Sequence, residues 1–414
     1  MRNHMSGKKI LFALAGLTLA AGFWGRVNNG RSAPLAPNPE NEEHRPVLVI
    51  DRPPVRTIED GNPTFNALAM DEDQDEVLIG NNNRASMPSI LTYHSQFQPT
   101  DRVMEPVRRI AGKKANLGSI CGLAVSPQYK EIYSVNGESE DLKVFPLEAN
   151  GDLAASRELD VDHGAGGLFL DAKNNELFIT TEHVNKVAVF RREAKGPEAP
   201  LRYIQGPHTQ LADPHGIYVD DQTSEIFVTN HGNFRLAQTG EKLRGIGDGD
   251  IHPLPLEPST GKFEPPSITV YSRTARGDAQ PLRVIQGAHT GLNLPLGIDR
   301  DPVSNQLVVA NSGDNSVLFF DASASGDVAP VRVIRGKATM LEAPSGVLVD
   351  AKHNELWATS WENHVADVFP RAAQGNVKPL RYIRSAPKDA APASFGVPGT
   401  IAWDAKRKEI LIAN

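Results

Sequence analysis

Three short segments gather side chains that can hold a metal ion: Glu182-His183, Pro214-His215-Gly216 and Asn230-His231. Neutral imidazole nitrogens and carboxylate oxygens bind zinc-like divalent ions, and three protein ligands leave a position open for water or substrate. An ion held by Glu182, His183, His215 and His231 would polarise a bound carbonyl; the alternative is a set of solvated or hydrogen-bonded histidines. Other chemistry finds little support. The chain lacks GxSxG, HExxH, Walker A and GxGxxG. Its single cysteine, Cys121, excludes an intrachain disulfide and a thiolate metal cluster. Beside Gly122, Cys121 is expected to be a small buried hydrophobe. Asp71-Glu72-Asp73-Gln74-Asp75 resembles the start of a calcium loop, but Glu76 stands where such a loop needs glycine. Gly245-Ile246-Gly247-Asp248-Gly249-Asp250 reads either as a cation-binding loop or as a solvated one.

The elements that position these residues come from a repeat. Apolar stretches end at Asp71, Ser126, Asp171, Asp220, Asp301, Asp350 and Asp404, and five residues after each comes Glu76, Glu131, Glu176, Glu225, Gln306, Glu355 or Glu409. Ten residues after each anchor stands Asn81, Asn136, Thr181, Asn230, Asn311, Ser360 or Asn414. A second motif, an apolar residue followed by arginine, recurs with Arg56, Arg108, Arg157, Arg202, Arg283, Arg332 and Arg381. A third apolar stretch lies between the two, so each unit of about 49 residues holds four short strands, the pattern of a propeller blade. Aspartate suits the first turn because its side chain accepts backbone N–H groups where the chain reverses. The arginines, one per blade on the outer strand, are expected to pair with acids or stack between blades.

The order of motifs predicts a seven-bladed all-β propeller. A third-and-fourth-strand pair, Val47 to Ile58, opens the series, and a first-and-second-strand pair, Ile401 to Asn414, closes it. Together they would complete a last blade from the N- and C-terminal strands. Units such as Asp220 to Asn230 (DDQTSEIFVTN) and Asp301 to Asn311 (DPVSNQLVVAN), with the Pro-x-Gly starts Pro214-His215-Gly216 and Pro344-Ser345-Gly346, resemble NHL and YVTN-type repeat propellers over residues 46–414. That group spans binding proteins, lactonases and metal-dependent lyases, so the resemblance implies a fold and leaves function open.

In a propeller the connections between second and third strands, and between blades, share the face at the mouth of the central channel. Asn81, Asn136, Asn230 and Asn311 are placed there, either as turn formers or as a polar ligand ring, and Trp361 is taken as a further ligand contact. The unit following Asp220 is longer than the others, which puts an insertion at residues 232–267 on the same face. His163 joins the histidines of that sector, whereas His208 and His289 occupy matching positions in two loops between blades.

Composition agrees with a turn-rich β fold: 35 glycines and 31 prolines in 414 residues, 40% hydrophobic and 22% charged. The net charge of −7, with Arg2, Lys8, Lys9, Arg26 and Arg31 concentrated before residue 32, argues against nucleic acid as a partner. Basic residues followed by the apolar run Ile10 to Trp24 read as a signal peptide or N-terminal anchor over residues 1–25, with a polar spacer at 26–45. The expected protein is secreted or periplasmic, with a membrane tether through residues 10–24 as a variant. Its expected function is binding or scaffolding of a small-molecule, polymer or protein ligand at the mouth. The alternative is a lactonase-type hydrolase or metal-dependent lyase with a divalent metal at the channel mouth.

Overall fold

The computed structural model describes residues 65–82, 87–98, 102–137, 139–232, 264–360 and 362–386, with the backbone alone of 401–404 and 409–412. All lie within one compact unit, Ile58–Asn414. Among the described residues no helix is long and apolar enough to cross a membrane.

Six antiparallel sheets of four strands follow one another in chain order. Blade one holds β1 (Phe65–Asp71), β2 (Glu76–Asn81), β3 (Ser89–His94) and β4 (Arg108–Ile110). Blade two holds β5 (Ile120–Ser126), β6 (Glu131–Asn136), β7 (Asp141–Pro146) and β8 (Arg157–Asp160). Blade three holds β9 (Ala165–Asp171), β10 (Glu176–Thr181), β11 (Lys186–Arg191) and β12 (Arg202–Ile204). Blade four holds β13 (Pro214–Asp220), β14 (Glu225–Asn230), β15 (Ser267–Ser272) and β16 (Arg283–Gln286). Blade five holds β17 (Pro295–Asp301), β18 (Gln306–Asn311), β19 (Ser316–Asp321) and β20 (Arg332–Arg335). Blade six holds β21 (Pro344–Asp350), β22 (Glu355–Ser360), β23 (Val365–Pro370) and β24 (Arg381–Arg384).

The repeated residue types explain these boundaries. The side chains of Asp71, Asp171, Asp220, Asp301 and Asp350 accept the N–H of Asp73, Asn174, Gln222, Val303 and His353, and the Ser126 hydroxyl accepts that of Tyr129. The residue before each Glu or Gln then turns left-handed, from Asp75 at φ 53° to Asn354 at φ 61°, and the second strand begins. Each second strand is buried along nearly its whole length because a neighbouring blade covers either face.

The hydrophobic core is accordingly divided between blades. Ile90 and Phe145 meet between blades one and two, Val144 and Leu177 between two and three, and Phe178 and Ile226 between three and four. Phe227 and Leu307 meet between blades four and five, and Phe319 and Leu356 between five and six. The two sequence motifs prove to be one device. Arg108, Arg157, Arg202, Arg283 and Arg381, on the outer strands, make two-pronged pairs with Glu76, Glu131, Glu176, Glu225 and Glu355 of the second strands. Arg332 meets Gln306 instead, at 3.0 Å. The same guanidinium groups reach onward to the next blade, Arg202 to the Arg273 carbonyl and Arg283 to the Ala322 carbonyl.

That link also corrects the expected blade number. Arg381 of blade six donates to the Ser95 carbonyl of blade one at 2.8 Å, repeating the bond found at the other junctions. A sixth core cluster unites Phe65, Val77 and Tyr93 with Trp357, Ala366 and Val368, and Thr359 donates to the Asn66 carbonyl. Blade six therefore packs directly on blade one, leaving no space for a seventh: the propeller has six blades. Counting repeats overshot because a ring closes through the faces of its blades, and face packing leaves no motif. Of the two segments expected to form the seventh blade, Val47 to Ile58 lies outside the described residues. The other contributes β25 (Ile401–Asp404) and β26 (Glu409–Ile412), which among the described residues pair only with each other.

Candidate functional site

The first strand of every blade has a register shift at its start, as between Pro214 and Ile217 or between Pro295 and Ile298. Such a bulge re-aims one side chain. Here that residue is the middle one of the Pro-x-Gly start, His215 in blade four, Leu296 in blade five and Ser345 in blade six. Glycine follows because the innermost strands nearly touch: a Cβ on Gly167 would lie 2.1 Å from the His215 carbonyl oxygen, and one on Gly216 2.3 Å from that of Leu296. Thr180 fixes the contact, donating to the His215 carbonyl at 2.5 Å and accepting the Gly167 N–H at 2.7 Å. Thr229 does the same one blade on, with Leu296 and Gly216.

A second repeated bond joins the residue after the second strand to the residue before the first strand of the same blade. It runs from Glu182 N to Gly164 O at 2.9 Å, from His231 N to Asp213 O at 2.9 Å and from Ser312 N to Leu294 O at 3.1 Å. In blade four this backbone brings together three side chains that could hold a metal ion. Asp213, itself left-handed at φ 56°, faces His215 Nε2 with one carboxylate oxygen and His231 Nδ1 with the other, each at 3.5 Å. The two imidazoles stack, with ring centres 3.6 Å apart. From blade three, Glu182 Oε1 lies 3.1 Å from His215 Nδ1. Glu182 Oε2 lies 3.9 Å from His183 Nε2, and the His183 ring stands 4.8 Å from that of His163.

Burial sets the charges. It pushes the Glu182 carboxyl up to about 8, helped by the negative charge of Asp213. It pushes the His215 imidazole down to about 4, against the pull of Asp213. His183 is lowered too, by burial and by His163. Burial would raise Asp213, but the two imidazoles facing it hold the carboxyl well below the usual range. At neutral pH an ionised Asp213 thus sits beside an uncharged His215.

Of the proposed ligands, the structure brings His215 and His231 together with Glu182 beside them, and places His183 beyond Glu182. Sequence reasoning missed Asp213 and Thr180. The available signal was position: Asp213 precedes Pro-x-Gly where Leu294 and Ala343 stand in blades five and six. The asparagine set is buried and committed to hydrogen bonds within its own blade or the loop leading into it. Asn81 donates to Met87 O, Asn136 to Asp141, Asn230 to Thr269 and Asn311 to Gly291 O. Trp361, the Gly245–Asp250 segment and residues 233–263 of the insertion lie outside the described residues. His208 and His289 behave alike, each paired with an aspartate of the following blade, Asp278 and Asp327. Burial raises the Cys121 thiol to about 11, which removes it as a nucleophile at neutral pH.

No family model matches the chain, and no curated protein matches it. Among solved structures it is similar to hydrazine synthase of Kuenenia stuttgartiensis, at 14% identity and a TM-score of 0.48, over 77% of this chain and 98% of that one. It is also similar to a chain of a nidogen/laminin complex, at 15% identity and a TM-score of 0.39, over 80% and 83% of the two chains. The assignment as a β-propeller rests on the six sheets and their closed ring.

Proposed function

We propose that this chain is an extracytoplasmic binding or scaffolding module of NHL or YVTN repeat type that engages its ligand at the channel mouth beside blades three and four. The observation that carries the reading is a local break in the repeat. Backbone bonds, bulges and arginine pairs recur from blade to blade, whereas, among the described residues, a convergence like that of Glu182, Asp213, His215 and His231 occurs in one sector only. A ring of identical features is first of all structural; a cluster without copies needs another reason. The basic-then-apolar segment at residues 1–25 supports export, with residues 10–24 as a membrane tether. The convergent donors and acceptors suit a polar ligand, whether a small molecule or a group displayed by a polymer or protein.

A second reading, a lactonase-type hydrolase or metal-dependent lyase, is supported by the proximity of Asp213 to two imidazoles. Histidine-labelled protein titrated with a library of polar fragments tests the mouth reading by magnetic resonance. Fragments that move the His183, His215 and His231 signals and leave His208 and His289 unmoved support it. A library that moves no histidine, or moves the outer pair equally, overturns it.

A further inference from the structure

We propose that Asp213, His215 and His231 bind a divalent transition ion of the zinc type, and that Glu182 is a positioning residue holding His215 in its ligating tautomer. This deepens the mouth reading and rests on it for the location of the ligand. Two imidazoles and one carboxylate form a mixed nitrogen–oxygen donor set, which suits zinc-like ions and not calcium or magnesium, whose ligands are oxygens.

The distances fit an ion better than a hydrogen bond. A separation of 3.5 Å between a ring nitrogen and a carboxylate oxygen is long for N–H···O, and it occurs twice, at His215 Nε2 and at His231 Nδ1. In a tetrahedral zinc site with bonds of about 2.0–2.2 Å, neighbouring ligand atoms stand roughly 3.3–3.5 Å apart. All three ligand atoms lie within 4.8 Å of one another. His215 Nε2 and His231 Nε2 are both buried without a hydrogen-bond partner, a cost in an apoprotein that a bound cation would offset at the ligating nitrogen of His215.

The surroundings follow the pattern of metal-ligating histidines, whose second nitrogen is held by a carboxylate. Glu182 meets His215 Nδ1 at 3.1 Å, opposite the nitrogen that faces Asp213. Thr180 pins the His215 carbonyl, and the Asp213 carbonyl accepts the His231 N–H, so the backbone of the site is fixed before any ion arrives. Three ligands leave a fourth position for water or for a donor atom of the mouth ligand. The equivalent places in blade five, Leu294, Leu296 and Ser312, offer no such set, so the site is not a by-product of the repeat.

The test uses the full chain, freed of metal by dialysis against chelator and titrated with zinc in competition with a chromophoric chelator. Cobalt absorption reports the coordination number. One zinc per chain is expected. His215→Ala and His231→Ala should each weaken it by about 100-fold or more, and Glu182→Gln by about 10- to 100-fold. Asp213→Asn, which keeps the side-chain shape, should also weaken it and guards against a folding artefact, as does an unchanged melt of the metal-free alanine variants. His183→Gln and His208→Ala should bind as the parent does. Absence of stoichiometric zinc, undiminished affinity in folded His215→Ala, or loss of zinc in His183→Gln would each overturn the site. Fragment-induced shifts of the mouth histidines in metal-free protein would leave the mouth reading standing if zinc fails.

Discussion

The outer girdle and the starts of the innermost strands are built from the same repeat and use it in opposite ways. In the girdle the side chains recur: arginine on the fourth strand, glutamate on the second and a carbonyl on the next blade. At the strand starts the backbone and the threonine that clamps it recur, and the side chain presented does not. The bulge and the close glycine contact are shared, yet the residue they present is His215, Leu296 or Ser345. A repeated side chain answers a need that every blade has, whereas a repeated backbone supplies a socket that individual blades fill differently.

Arg381→Ala makes the strongest test of the girdle. It strands Glu355 in a buried junction and removes the bond to Ser95, so it should cost about 3–5 kcal/mol in urea unfolding. Zinc affinity of the folded fraction should not change, and a joint loss would erase the division between the two regions.

Asp299 asks whether any departure from the repeat matters, or only a clustered one. Burial pushes its carboxyl up to about 7, although it accepts the N–H groups of Val349 and Arg300. The folded chain therefore holds a proton that the unfolded chain has lost above about pH 4. The contribution of this group is intact below that pH, falls as pH rises toward 7 and is fully lost above it. Asp299→Asn should flatten that slope and gain about 2 kcal/mol at pH 8, a net figure after one weakened hydrogen bond. An unaltered slope between pH 4 and 7 would show that Asp299 is ionised when folded.

Gln306→Glu would complete the girdle. Arg332 has a neutral partner and stands over the Phe319 ring at 3.6 Å, so a carboxylate there should add roughly 1 kcal/mol. Equal or lower stability would mean that the carbonyls of Arg371 and Ala373 already satisfy it. The smallest effect is expected at the start of β13. His215→Ala without metal should shift stability by less than about 1 kcal/mol, since relief of the unpartnered Nε2 offsets the lost contacts to Glu182 and His231, while abolishing the rise in melting temperature expected from zinc in the parent.

The strand ends at Asp71, Glu76 and Asn81, and their counterparts through blade six, were legible in the sequence because turn chemistry demands particular side chains at fixed offsets. The pairing of the glutamates with the arginines was half legible: acidic partners were expected for the arginines, but the matching register appears only once the third strand is seen to lie between them. Ring closure was illegible, since Phe65, Tyr93, Trp357 and Val368 are ordinary apolar residues whose meeting depends on the angle between blades. At the site, histidines drew attention by type. Asp213 did not, because its role depends on a left-handed backbone and on the bond that brings His231 beside it.

Asn230 and Ser267 are direct partners across β14 and β15, although the chain between them is roughly nine times as long as the Ser312–Asn315 connection of blade five. With both ends clamped by the sheet, the entropic penalty for the extra length grows only with its logarithm, about 2 kcal/mol for that ratio. Selection can therefore rewrite the segment that begins one residue after His231 at little thermodynamic risk. Blade four gives this fold a place where chain length can change while the framework beneath it stays unchanged.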